Sequence, residues 1–238
     1  MKAEEIASRE WQLGGSLWRR FLQSIPGQVL ANPPAFRLHT ELLIHRDHRV
    51  LEVGCGAGSR LLLLDNAVKF ARHSACGVEP APKLAHRAGA SFRRNARPLN
   101  ALLADPGALP FADGAFDMAV CDDLLRFLDV RGAQSALREI ARVLRPGAIA
   151  LIWDLAPPDG RFAWWQRFWL RGYGGRIASA KSLMSLAERS DFAYTRDAGL
   201  RPFFWPPVPR ASFIAGTVPP GWRVEGGNLI PPPEPESG

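Results

Sequence analysis

The chain has 238 residues, 47% hydrophobic and 22% charged, which is enough apolar material for one large domain or two small ones and too much for a disordered polymer. Lys plus Arg outnumber Asp plus Glu by 30 to 23, a net charge of +7. The arginines are scattered rather than massed, so this charge reads as a basic solvated surface and no nucleic-acid partner is expected. Cys55, Cys76 and Cys121 have neither metal-knuckle nor CxxC spacing, "MKAEEIASREWQLGG" lacks the apolar core of a signal peptide, and no apolar run approaches the ~18 residues of a membrane span; the expectation is a cytoplasmic chain with reduced cysteines and no metal.

Residues 1–47 read as a helical cap, broken at "ANPPAF" (31–36). "RVLEV" (49–53) predicts a first strand and "SRLLLLDNAVKFARH" (59–73) a helix, with Leu61, Leu64, Val68 and Ala71 at helical spacing. "ACGVE" (75–79) predicts a second strand, 82–96 a second helix with Pro82 suited to its first turn, and "NALLA" (100–104) a third strand. "FDMAVC" (116–121) follows as a fourth strand, 132–144 as a helix with Leu137, Ile140, Ala141 and Leu144 on one face, and "AIALIWDL" (148–155) as a fifth strand. The alternation implies an α/β fold, a parallel sheet with helices on both faces. A mostly helical insert covers about 156–199, and "RPFFW" (201–205) and "ASFIAGTV" (211–218) suit an antiparallel pair at the sheet edge. The main domain is thus expected over 48–222, with a Pro-rich tail, 223–238, expected to be disordered. There is no internal repeat.

The first strand runs into "LEVGCGAGSR" (51–60), with glycines at 54, 56 and 58. A glycine-rich turn at a strand's carboxyl end lets a ligand approach the backbone, at the place where open α/β sheets bind ligands. The dinucleotide fingerprint is GxGxxG; this spacing is GxGxG with Ser59 next, so the NAD pattern fails at its last position. Glu79 closes the second strand, where an acid can bind both hydroxyls of a ribose, and Asp105 closes the third.

"LEVGCGAG", "GVEP", "ADPGALPFADGAFDMAV" and "LREIARVLRPGAIAL", in that order and spacing, resemble the class I S-adenosylmethionine-dependent methyltransferases, in particular their type 11 small-molecule group. The likeness is close over about 51–153 and loose to about 218. It implies a Rossmann-like, seven-stranded, mostly parallel sheet with an antiparallel last strand, and S-adenosyl-L-methionine as cofactor. By that resemblance Gly54, Gly56 and Gly58 let the methionine part lie on the backbone, Glu52 orients its ammonium, Glu79 holds the ribose and Asp105 meets the adenine amino group. Asp122 lines the cofactor and opens toward the acceptor. Three features depart from the family: Pro106 stands where a backbone N–H usually reaches the adenine and has none to give, "RPGA" replaces RPGG, and "CDDLLRFLD" lacks the histidine pair many relatives carry.

The methyl of S-adenosylmethionine is already activated by its sulfonium, so positioning dominates, and an O- or C-acceptor must also lose a proton. Asp122, Asp123 and Asp154, near strand ends, are the candidate bases, although Asp123 and Asp154 also suit helix caps or solvent-facing positions. The five histidines follow no core strand, and "ANPPAF" precedes the first strand, where the adenine- and glutamine-modifying enzymes' similar motif does not occur. In "GRFAWWQRFWLRGYGG", Phe162, Trp164, Trp165, Phe168 and Trp169 share one broad helical face. That face reads as core or as the wall of an apolar acceptor pocket with Trp165 and Phe168 in it; an interfacial helix touching a membrane is the alternative. A faint likeness to the quinone C-methyltransferases names no substrate. The expected function is methyl transfer to a small, lipophilic molecule; the alternatives are an RNA or protein methyltransferase and a non-catalytic S-adenosylmethionine-binding module. Sequence leaves the oligomeric state open.

Overall fold

The computed structural model describes residues 2–14, 42–170, 175–198, 209–225 and 228–232, with single positions at 17, 21, 24 and 26. Helix α1 (Ala3–Gly14) precedes strand β1 (Val50–Val53), helix α2 (Ser59–Val68), β2 (Ala75–Glu79), α3 (Pro82–Arg94) and β3 (Asn100–Leu103). Then come β4 (Phe116–Asp122), a 3-10 turn (Leu125–Phe127), α4 (Val130–Val143) and β5 (Leu144–Leu155). Helices α5 (Ala163–Leu170) and α6 (Ala180–Glu188) lead to β6 (Tyr194–Asp197) and β7 (Arg210–Gly216), and β8 (Arg223–Glu225) and β9 (Asn228–Ile230) complete the order.

The main sheet has seven strands in the order β3-β2-β1-β4-β5-β7-β6. β1 to β5 are parallel, and β7 runs antiparallel to both β5 and β6. Chain order reverses between β1 and β4, which puts a ligand crevice at their carboxyl ends. The central strands are apolar on both faces, as a doubly covered parallel sheet requires: every residue of β1 is buried. One face packs on α4 and α6 through Leu137, Ile140, Leu183 and Ala187, the other on α2 and α3 through Leu61, Leu64, Ala88 and Phe92.

Local chemistry sets the element ends. Asp129 caps α4 by accepting from Gly132 N, and Pro82 opens α3, where its missing N–H costs nothing. Helix α2 stops at Val68, five residues before the expected end, because Lys69 turns left-handed at φ 58°.

Two sequence expectations change. The edge partner of β7 is Tyr194–Asp197, inside the stretch read as helical; the β-favouring Tyr and Thr of "YTRD" account for it. "RPFFW" lies outside the described residues. Within the tail expected to be disordered, Arg223–Glu225 and Asn228–Ile230 pair as a small antiparallel hairpin. No helix among the described residues is long and apolar enough to cross a membrane.

Candidate active site

Beyond β1 the backbone passes through Gly54, Gly56 and Gly58 at φ of +82°, +56° and +79°, a region L-residues avoid. A Cβ on Gly58 would stand 2.5 Å from the Phe92 ring, so that glycine serves helix packing. A Cβ on Gly56 would meet nothing within 4 Å; here the turn presents bare backbone to open space.

Strand alternation decides which acids share this space. Val50 packs on the α2 side of the sheet and Leu51 and Val53 on the α4 side, so Glu52 faces α2. Met118 likewise faces α2, with Ala119 and Cys121 opposite, so Asp122 lies on the same face as Glu52. Arg60, in the first turn of α2, enters between them: Nη1 stands 3.4 Å from Glu52 Oε1, and Nη2 donates to Asp122 Oδ2. All three residues are buried. Glu52 Oε2, Arg60 Nε and Asp122 Oδ1 have no hydrogen-bond partner, and the three residues line one void of about 50 Å³ with Arg9, Gly54, Gly56 and Asp123. Unsatisfied buried polar atoms ask for an explanation; here they offer both signs of charge to one ligand.

Burial pushes Glu52 up to about 7, with Asp122 and Glu79 reinforcing it and Arg60 opposing. Burial also lifts Asp122 to about 6 against the pull of Arg60, helped by repulsion from Asp123. Asp123 behaves oppositely: burial would raise it, but Arg126, Arg210 and Arg60 outweigh that and hold it below the ordinary carboxylate range.

Glu79 ends β2 fully buried. Its Oε2 accepts from Gly56 N at 2.8 Å and its Oε1 from Ala81 N at 3.1 Å. Arg9 of α1 reaches both oxygens, Nε to Oε1 and Nη2 to Oε2, each at 2.8 Å. Asp105, by contrast, is exposed and turns back on Gly107 N at 2.8 Å, with Pro106 buried beside it; neither lines the void.

Asp154 does not join Asp122. It alternates onto the other face of the sheet, where it accepts from Arg126 N at 3.0 Å, Arg126 Nη1 at 2.9 Å and Leu155 N at 2.7 Å. Asp123 is engaged by Arg126 and, at 3.1 Å, by Arg210 Nη1. Of the three candidate bases, Asp122 alone keeps a fully buried oxygen without a hydrogen bond. Phe162, just before α5, and Trp164 and Phe168 on it are turned outward, 60%, 66% and 59% exposed. Trp165 stacks on Phe168 with ring centroids 6.0 Å apart. This excludes the core reading for Phe162, Trp164 and Phe168, and Trp165 and Phe168 line neither cavity. A second cavity of about 180 Å³ lies beside the 3-10 turn, walled by Leu125, Leu128, Leu155, Leu183 and Leu186 and edged by Arg176 and Arg189.

Sequence reasoning missed four arginines, Arg9, Arg60, Arg126 and Arg210, which interleave with Glu52, Glu79, Asp122, Asp123 and Asp154. Two had a legible signal: Arg60 precedes "LLLL" and Arg126 interrupts "LLRFL", and a lone cation in a buried apolar run needs a buried anion.

Residues 50–147 match the family model described as a methyltransferase domain. Over these residues the chain is similar to methyltransferase domains. An O-methyltransferase, rstn1, of Aspergillus nomiae is 35% identical over 112 residues, 46% of this chain and 48% of that protein. Demethylmenaquinone methyltransferase of Thermus thermophilus is 32% identical over 111 residues, again 46% and 48%. The chain thus spans about half the length of these curated relatives. A methyltransferase structure from Thermotoga maritima, titled a possible histamine N-methyltransferase, superposes with a TM-score of 0.61 at 19% identity, covering 88% of this chain and 98% of that one. The cyclase SpnF superposes at 0.63 and 18% identity over 79% and 81%. At such identities the likeness shows the fold, which hosts more than one chemistry.

S-adenosylmethionine is the cofactor that this similarity implies, and the residues present fit its chemistry. The bare turn at Gly56 gives it a backbone to lie on, the unpaired atoms of Glu52, Asp122 and Arg60 answer an amino-acid zwitterion, and the Glu79 carboxylate presents two acceptors. The room, however, is about 50 Å³, against roughly 300–1,000 Å³ for ligand pockets, and Arg9, paired to Glu79, is one of its walls.

Proposed function

We propose that the protein transfers the methyl group of S-adenosylmethionine to a small acceptor with an apolar body. The observation that carries this reading is the convergence of Glu52, Asp122 and Arg60, buried and incompletely bonded, beside the Gly56 turn at the sheet's switch point.

The cofactor supplies a methyl group already activated for in-line displacement. Glu52 holds its ammonium, Arg60 its carboxylate, Glu79 its ribose hydroxyls, and Asp105 with Pro106 the edge of its adenine, while Asp122 lines the cofactor and opens toward the acceptor. Asp122, lifted to about 6, also has the proton affinity of a base working near neutral pH, and its Oδ1 is the oxygen left to receive an acceptor's proton. Asp123 and Asp154 are positioning groups for Arg126. The Leu-lined cavity beside the 3-10 turn and, outside it, the exposed rings of Trp164 and Phe168 support an apolar acceptor, which Trp165 and Phe168 would meet before it enters the site.

Calorimetric titration with S-adenosylhomocysteine and with NAD, followed by transfer of labelled methyl to panels of phenols, quinones, thiols and fatty acids, tests the reading. It predicts S-adenosylhomocysteine binding and a labelled apolar product. Binding of NAD alone, or label transferred only to RNA or protein, would replace it.

A further inference from the structure

Helix α1 lies across the crevice on three surface tethers. Lys2 Nζ pairs with Asp129 at 3.1 Å, Glu5 accepts from Asp129 N at 3.1 Å, and Glu10 accepts from Lys83 N at 3.1 Å and pairs with Lys83 Nζ at 2.9 Å. Lys2 and Lys83 are 72% and 78% exposed in these pairs, and exposed pairs hold weakly. Between the tethers, Arg9 has no solvent exposure. Besides Glu79, its guanidinium donates to Gly54 O at 2.9 Å and Asp123 O at 2.6 Å. It therefore spans the ends of β2, β1 and β4 at once, stands over the Phe127 ring at 5.4 Å, and comes within 3.0 Å of where a Cβ on Gly54 would be.

We infer that α1 is a latch on the cofactor site: Arg9 holds the site shut by occupying Glu79, and S-adenosylmethionine enters by exchanging its ribose diol for that guanidinium. The inference rests on reading the site as the S-adenosylmethionine site. The exchange is chemically matched. Arg9 offers two parallel N–H donors to the two oxygens of one carboxylate, and a vicinal diol offers two O–H donors to the same oxygens. The carboxylate stays satisfied before and after. Among the described side chains of α1, Arg9 alone is buried, so its withdrawal is the step that opens the site. Apparent affinity is the intrinsic affinity reduced by the fraction of molecules with Arg9 withdrawn, and the latch makes cofactor binding and α1 docking mutually exclusive.

The test uses the full chain. Calorimetry compares S-adenosylhomocysteine binding by the unaltered protein and by Arg9→Ala, and hydrogen exchange follows the amides of residues 3–14 in the unaltered protein with and without S-adenosylhomocysteine. The latch predicts at least tenfold tighter binding by Arg9→Ala and faster exchange in α1 when S-adenosylhomocysteine is bound. Equal or weaker binding by a folded Arg9→Ala overturns the latch and leaves the cofactor assignment standing. Should Arg9→Ala fail to fold, the exchange experiment decides alone: slower or unchanged exchange in α1 on binding makes the helix a cover or a bystander and refutes the exchange. If neither protein binds S-adenosylhomocysteine, the cofactor assignment falls and the latch with it.

Discussion

The Arg9–Glu79 pair carries a stability prediction that a double-mutant cycle can read. Both side chains are fully buried, and four donors converge on the carboxylate: two from Arg9, one from Gly56 N and one from Ala81 N. Removing one partner of a buried pair typically costs about 3–5 kcal/mol, because the other charge is left uncompensated. Glu79→Leu should fall in that range. Arg9→Met should lie toward its lower end, since Gly56 N and Ala81 N still bond the carboxylate. At roughly 2–4 °C per kcal/mol for a chain of this size, either single variant should melt about 6–20 °C lower. In Arg9→Met/Glu79→Leu no buried charge is left alone, and apolar replacement of a pair is often near neutral. What remains is about 1–3 kcal/mol for each main-chain N–H that loses its acceptor. The double variant should therefore be at least about 2 kcal/mol more stable than the sum of the singles predicts. Urea unfolding of all four proteins without cofactor measures this. Additivity within about 0.5 kcal/mol, the behaviour of independent sites, would show that the pair is not the unit described.

The glycine turn predicts a contrast. Gly56→Val should abolish S-adenosylhomocysteine binding by calorimetry and cost about 1–2 kcal/mol for a left-handed β-branched residue, whereas Gly58→Ala should lower stability further by driving a Cβ into Phe92. Glu52 predicts a pH dependence. Its folded-state pKa of about 7 lies above its ordinary 4.5, so between those values the folded protein binds more protons than the unfolded one, and stability falls as pH rises from about 4.5 to about 7 and then levels. The span from Glu52 is on the order of 3 kcal/mol, and in urea titrations at stepped pH Glu52→Gln should remove the fall between about pH 6 and 7 while the part that Asp122, raised to about 6, contributes below that remains. Trp165→Ala with Phe168→Ala removes half-exposed rings, so the variant should keep its melting temperature and S-adenosylhomocysteine affinity while the acceptor's KM rises; unchanged kinetics would remove α5 from acceptor binding.

The parallel half of the fold was legible because each β-α-β unit carries its own period and punctuation: all five strands from "RVLEV" to "AIALIWDL" stand within a few residues of their expected places. The antiparallel edge was harder, since "YTRD" is short and polar and gains strand character only by pairing with β7. In the site, the glycines and Glu52, Glu79 and Asp122 came from local motif and strand position. Asp154 was grouped wrongly with Asp122 because both strands are apolar on both faces, which hides the alternation that separates them; their register, Asp122 opposite Trp153, resolves it. Asp105 reaches the right strand end yet faces solvent, closed on its own turn. Arg9 had no sequence signal, because an arginine on a polar helix looks solvated until the tertiary structure brings it to Glu79.

The most direct test of the central claim is a crystal structure of the full chain grown with S-adenosylhomocysteine. It should show the amino-acid end among Glu52, Arg60 and Asp122, the backbone of Gly56 against the ligand, both ribose hydroxyls within hydrogen-bond distance of the Glu79 carboxylate, and Arg9 drawn away from it. S-adenosylhomocysteine bound elsewhere, or bound at the turn with Arg9 still paired to Glu79, would contradict the account.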